Sequence, residues 1–379
     1  MRAGRVRVVR RALHGVLLLD KPLGMSSNDA LQRARWLLRA EKAGHTGTLD
    51  PLATGLLPLC FGAATKFSQL SLDADKRYLA TLRLGQTTAT GDAEGPVLRE
   101  RVLPARGAAL RALLEAACAR FTGEIEQLPP MYSALKHGGR PLYEIARAGG
   151  EVERAPRRVT IHRLAVVPGA ARPPAARHAD VTPGSDTGAA IADDTLWTLD
   201  VTCSKGTYVR TLAEDLGEAL GCGAHLAGLR RTASGPLTLD RALTLDALEA
   251  LDEPAREARL LPVDVLLADR PLLRLGAEDA GRYLSGLRRR LPGHADEPLL
   301  RVYGPEPGAF LGSGRLRAGE LVAQRLLSPD EVRALRDAAA APADAGTPGA
   351  TASPAPAAAG AAAPNPSHPA LPVSEKARA

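Results

Sequence analysis

Ala43-Gly-His-Thr-Gly-Thr-Leu-Asp-Pro-Leu-Ala-Thr-Gly55 is the stretch from which the fold and the chemistry of this sequence are best approached. Glycines at 44, 47 and 55 open backbone angles that other residues avoid and let a ligand come close. Pro51 biases Asp50 towards an extended conformation, because a proline disfavours the α region in the residue before it. Leu49 and Leu52 put apolar bulk around the carboxylate. A lone, stiffly displayed carboxylate in such surroundings suits a nucleophile. An Asp-Pro turn satisfied by backbone amides fits the same residues, and local physics leaves both open.

Working outward, Gly15–Asp20 reads as a strand. Ser27 or Asn28 can cap a helix whose apolar face carries Ala30, Leu31, Ala34, Leu37 and Leu38. Downstream, the pattern predicts a strand over Tyr78–Leu84, a helix over Ala108–Ala119 and a hairpin within residues 132–143, turning at His137–Arg140. Trp197–Cys203 is strand-like, and Tyr208–Leu220 is a helix closed by Gly221 in the C′ position. Strands and helices interleave without a regular βαβ rhythm. That favours an α+β fold, a mixed sheet with flanking helices, over a Rossmann or barrel architecture. From Leu272 to Leu327 the texture shifts to short β runs (Leu299–Tyr303, Ala309–Gly312, Leu321–Leu326), as expected of a small separate β domain after a linker at Pro254–Arg270. Three segments lack the pattern of packed structure: a basic arm at 1–12, a Pro/Ala/Gly/Asp-rich insert at 167–194, and an Ala/Pro-rich tail at 337–379 with too little apolar side chain to offset ordering entropy.

Over 379 residues, a hydrophobic content of 45% and a charged content of 24% are those of an ordinary globular protein, while the formal charge of +7 suits a polyanionic partner. The apolar run after the basic N-terminus is only Val16–Leu19, too short for a signal-peptide core, and no segment matches a membrane span; a cytoplasmic location is expected. Cys60, Cys118, Cys203 and Cys222 are scattered without a C-x-x-C pair, which speaks for buried thiols rather than zinc ligands or disulfides. P-loop, dinucleotide-binding and H-E-x-x-H motifs are missing from the sequence, so the expected chemistry uses no nucleotide, metal or redox cofactor.

Two further stretches carry candidate groups. In Cys203-Ser-Lys-Gly-Thr-Tyr-Val-Arg210, Arg210 lies in the first turns of a helix, where its planar fork can pair with a carboxylate or phosphate, or serve an ordinary surface ion pair. In Lys76-Arg-Tyr78, the ring of Tyr78 beside two cations can stack on a base, or lie half in the core as strand tyrosines do.

Together with Gly15-Val-Leu-Leu-Leu-Asp-Lys-Pro-Leu-Gly-Met-Ser-Ser27, Gly62-Ala-Ala-Thr-Lys-Phe67, Gln127-Leu-Pro-Pro-Met-Tyr-Ser-Ala-Leu-Lys136 and Gly221-Cys-Gly-Ala-His-Leu-Ala-Gly-Leu-Arg-Arg231, these stretches resemble, in order, the bacterial tRNA pseudouridine-55 synthase family across residues 14–262. The resemblance implies an isomerase acting on a T-loop uridine of tRNA. Its catalytic domain would span 13–262, with a mixed, mostly antiparallel sheet, and a PUA-like RNA-binding domain would occupy 266–330. It implies three catalytic residues: Asp50 as nucleophile on base or sugar, Arg210 as its partner, and Tyr78 as the ring that stacks on the target base and helps in the proton transfer at carbon. Tyr208 and Leu229 would line the uridine pocket, and His45 would fill the vacated RNA stack. Lys21, Lys66, Lys136, Lys205 and Arg231 are candidate phosphate contacts. The expected partner is the tRNA T-arm, with no membrane, obligatory protein or guide RNA, acting on a monomeric enzyme. A noncatalytic RNA-binding or RNA-folding protein, and an RNA-guided enzyme of the same superfamily, are the competing functions.

Overall fold

The computed structural model describes residues 9–133, 135–168 and 194–340. A ten-stranded sheet runs through the larger part of it. Its strands in chain order are β1 (Gly15–Lys21), β2 (Ala43–His45), β3 (Ala53–Phe61), β4 (Lys76–Leu84), β5 (Gly123–Gln127), β6 (Arg157–Val166), β7 (Leu196–Cys203), β8 (Ala224–Ser234), β9 (Leu237–Thr238) and β10 (Leu243–Thr244). They lie side by side as β10-β1-β3-β8-β4-β7-β6-β5, with β2 paired to β3 and β9 to β8. Among the described strands of this sheet, only β1–β10 and β3–β8 pair in parallel. The mixed, mostly antiparallel sheet is therefore the one expected.

The unbroken apolar run of β1 has a simple cause: both faces are covered. Leu17 and Leu19 join Leu57, Leu59 and Phe61 of β3 beneath helix α1 (Ser27–Leu37), which contributes Ala30, Leu31 and Ala34. Val16 and Leu18 point the other way, to Leu56, Cys60, Phe67 and Leu266. A second helical layer, α2 (Gly107–Arg120) and α3 (Val209–Ala219), covers β4, β6 and β7 through Leu114, Cys118, Leu212 and Leu216. Gly221, at φ +77°, follows the Leu220 cap of α3 as its C′ residue. The N-cap of α1 is Ser26, whose hydroxyl accepts from the Asp29 amide; Ser27 and Asn28 are one and two residues too late.

Beyond the large sheet, β11 (Leu272–Arg274), β12 (Arg289–Arg290), β13 (Glu297–Tyr303), β14 (Phe310–Arg317) and β15 (Glu320–Leu326) form a curled, PUA-like sheet in the order β11-β13-β14-β15-β12. It is less separate than its texture suggests. Phe310 and Leu327 share one apolar cluster with Val16, Leu18 and Phe67, and the Phe67 and Phe310 rings lie 5.4 Å apart. The expected linker at 254–270 is itself packed: Leu261 exchanges backbone hydrogen bonds with Val16, and Val263, Leu266 and Leu267 are buried.

The expected arm, insert and tail fall partly within the described residues. Arg11 bridges to Ala40, so the arm is anchored by that point, and residues 1–8 lie outside the described residues. The insert joins the adjacent antiparallel strands β6 and β7, with 169–193 outside the described residues. Helix α4 (Pro329–Ala340) takes up the first residues of the expected tail, and 341–379 lie outside. Among the described residues no helix is long and apolar enough to cross a membrane.

Candidate active site

Asp50 sits in the turn that leads into β3, its own carbonyl accepting from the Ala53 amide. The parallel register sets Leu229 of β8 beside Ala53, and the antiparallel register of β8 with β4 sets Arg231 beside Tyr78. Sequence positions some 180 residues apart thus converge on one edge of the turn. Gly55 makes this approach feasible: at φ +99°, a Cβ there would lie 2.3 Å from the Arg231 carbonyl oxygen.

Facing the turn is the start of α3. One Nη of Arg210 lies 2.9 Å from Asp50 Oδ2 and donates to the Tyr132 carbonyl at 2.6 Å. The other donates to the Thr90 carbonyl at 3.2 Å and lies 3.5 Å from Asp92 Oδ2. The Arg210 side chain is 9% exposed, whereas that of Asp50 is 46% exposed. The cation is held from behind by carbonyls and a buried carboxylate, and Asp50 is the part of the pair that meets solvent. A buried guanidinium is tolerable only when its donors are matched in this way.

Around the carboxylate lie the other candidates. Tyr78 and Leu229 are half-buried where the two main core clusters on this face meet. Burial pushes the Tyr78 phenol up, against the opposing effect of the Arg231 charge. Tyr208 precedes α3, its backbone N–H and C=O both held by the Gln127 amide, and burial raises its phenol as well. His45, on β2, has a buried Nδ1 with no hydrogen-bond partner, and burial with the Arg231 charge lowers its basicity.

The expected phosphate contacts divide. Lys21 is fully buried: its Nζ donates to the Pro22 and Met25 carbonyls, and desolvation pushes it down to about 8, against the pull of Asp50 and Glu94. Arg231 is 1% exposed and donates to the Leu56 and Gly47 carbonyls. Lys21 thus gathers the loop after β1, and Arg231 ties Gly47 to β3; a phosphate would first have to displace these carbonyls. Lys66 is engaged by Glu331 and the Leu326 carbonyl of the C-terminal part. Lys205 is exposed and paired with Asp73 at 2.9 Å, and Lys136 lies exposed on the small hairpin.

The architecture, family and relatives agree. Residues 35–209 match the model of the TruB family pseudouridylate synthase N-terminal domain, and 210–268 match that of the tRNA pseudouridylate synthase B C-terminal domain. The tRNA pseudouridine synthase B of Cupriavidus metallidurans is 58% identical over 328 residues, covering 85% of this chain and 96% of the relative. That of Burkholderia mallei is 56% identical over 329 residues, covering 85% and 97%. The chain belongs to the TruB family of tRNA pseudouridine synthases. At the level of fold, this TruB-family chain is similar to a chain of an H/ACA ribonucleoprotein bound to a substrate RNA containing 2′-deoxyuridine, at a TM-score of 0.58 and 21% identity, covering 84% of this chain and 86% of the other. It is likewise similar to one of the archaeal box H/ACA sRNP Nop10–Cbf5 complex, also at a TM-score of 0.58 and 21% identity, covering 85% and 88%.

Sequence reasoning passed over the acids behind Arg210. In Gly91-Asp-Ala-Glu94, Asp92 is 3% exposed and accepts from Thr90 Oγ1 and the Glu94 amide. Glu214, one turn along α3 from Arg210, is pushed up to about 7 by burial and then by Asp215. A period-3.6 argument could have found Glu214; nothing local announces Asp92.

Proposed function

We propose that this chain converts the uridine at position 55 of the tRNA T-loop to pseudouridine, with Asp50 as the nucleophile. The observation that carries it is the half-exposed Asp50 carboxylate held 2.9 Å from a buried Arg210. Isomerisation breaks the bond from ribose C1′ to uracil N1 and forms one from C1′ to C5. The proton on C5 is lost and N1 gains one, so no oxidant or co-substrate is consumed. A carboxylate suffices as the covalent partner that splits this exchange into two steps. Arg210 pairs with the carboxylate and fixes the direction of attack by its fork. The target base has to leave the stacked loop, since the glycosidic bond is out of reach inside it. Tyr78 would stack on the flipped base, Leu229 and Tyr208 would bound the pocket, and His45 would occupy the vacated stack. Exposed Lys136 and Lys205 remain suited to the RNA backbone. A cytoplasmic, monomeric, unguided enzyme fits this assignment.

Asp50→Asn should lower the single-turnover rate on unmodified tRNA by at least ~10,000-fold while tRNA binding persists. Retention of normal turnover would remove Asp50 from the mechanism. Incubation with an isolated T-arm stem-loop, followed by mapping of the modified position, tests independence from any guide.

A further inference from the structure

The tandem serines after the first strand do different work, and the second of them reaches the catalytic turn. Ser26 caps α1. Ser27, 2% exposed, turns inward and meets Leu49, 22 residues away. Its Oγ accepts from the Leu49 amide at 2.7 Å and donates to the Leu49 carbonyl at 2.9 Å. One hydroxyl thus satisfies both backbone groups of the residue that immediately precedes Asp50. On the other side of Asp50, the Gly24 amide donates to the Pro51 carbonyl at 2.9 Å. Gly24 and Ser27, on a loop gathered by Lys21 on the Pro22 and Met25 carbonyls, therefore hold the chain on both flanks of the nucleophile.

We propose that Ser27 is a positioning residue for Asp50: its hydroxyl fixes both peptide groups of Leu49 and thereby the place of the Asp50 carboxylate against Arg210. This deepens the proposed function and rests on Asp50 being the nucleophile. The physical reason lies in the enclosure. Leu49 is 3% exposed, so no water is at hand to replace the hydroxyl, and without it a buried N–H and C=O must find partners by moving the turn. The Asp50 carbonyl is tied to the Ala53 amide, and its carboxylate lies 2.9 Å from Arg210, so its place follows that of the turn. Displacement of a reacting group by an ångström is enough to cost about 100-fold in rate. Ser27 is buried and offers no surface to a tRNA, so affinity should be left alone.

The test uses the full-length protein, an unmodified tRNA transcript for single-turnover rates, and the pseudouridine-containing product tRNA for equilibrium binding. Ser27→Ala should slow turnover about 100-fold, with product affinity unchanged. Ser27→Cys, which keeps the volume but is a weaker donor and acceptor, should fall between it and the wild type and serves if the alanine variant does not fold. Ser26→Ala is the control. It weakens the cap of the same helix, so the melting temperature should drop while the rate stays at the wild-type value. Wild-type turnover by both Ser27 variants overturns the proposal. So does a loss of rate and affinity together, or a Ser26→Ala variant as slow as Ser27→Ala. An inactive Asp50→Asn beside a fully active Ser27→Ala defeats only the positioning role; an active Asp50→Asn defeats the nucleophile assignment itself.

Discussion

Arg210 shows how much of this site is decided by what surrounds a side chain. Its sequence context offered a helix-borne fork; the structure encloses that fork with Asp92 and two carbonyls behind and Asp50 in front. Glu214 belongs to the same enclosure, near Asp92, Asp215, Glu218 and Arg210, with its carboxyl against Gly91. Its ordinary value is 4.5 and its folded value about 7. Between those limits the native state holds more protons than the unfolded chain, so this group's contribution to stability falls as pH rises through the window. Above 7 the cost of the half-buried charge is fully present. Glu214→Gln should therefore stabilise the protein by about 1–2 kcal/mol at pH 8, allowing for solvent on its open side, and by next to nothing at pH 4. Urea denaturation at the two pH values measures it, and equal effects at both would exclude this explanation.

At the scale of elements, β3 and β8 were the strands hardest to see. Gly55 and Pro58 interrupt β3, and both residues ordinarily argue against a central strand. Each is explained by pairing: Gly55 admits the Arg231 backbone, and Pro58 offers its carbonyl to the Thr46 amide. Helix α1 and the hairpin at 136–141 were legible because periodicity and turn chemistry are local signals. Gly55→Ala would combine a strained φ with a backbone clash of the β3–β8 pair, and should cost at least ~3 kcal/mol. The urea midpoint should shift accordingly; a near-neutral result would mean that the parallel pair can separate without loss.

For the molecule as a whole, the shared cluster of Val16, Leu18, Phe67, Phe310 and Leu327 ties the PUA-like sheet to the catalytic sheet. Composition pointed to a boundary near 254–270 because it registers texture, not contact. Phe310→Ala removes a ring packed on Phe67 and Tyr303 and should destabilise by about 3–5 kcal/mol. The two tryptophans, Trp36 on α1 and Trp197 on β7, both lie outside the PUA-like sheet, so fluorescence-detected melting should still move downward with it. An unshifted tryptophan transition would show that the two sheets unfold independently.

By itself the sequence determined the display of Asp50, the amphipathic helices, the mixed sheet and, through its ordered motifs, the resemblance to a family. Each depends on a backbone restriction or a spacing contained within a few residues. Only the tertiary structure decided that Lys21 and Arg231 are buried on backbone carbonyls, that Asp92 stands behind Arg210, and that Ser27 holds Leu49. Whether a charge faces solvent or a carbonyl depends on segments 20 to 180 residues away, and no local pattern records which of them will pack over it.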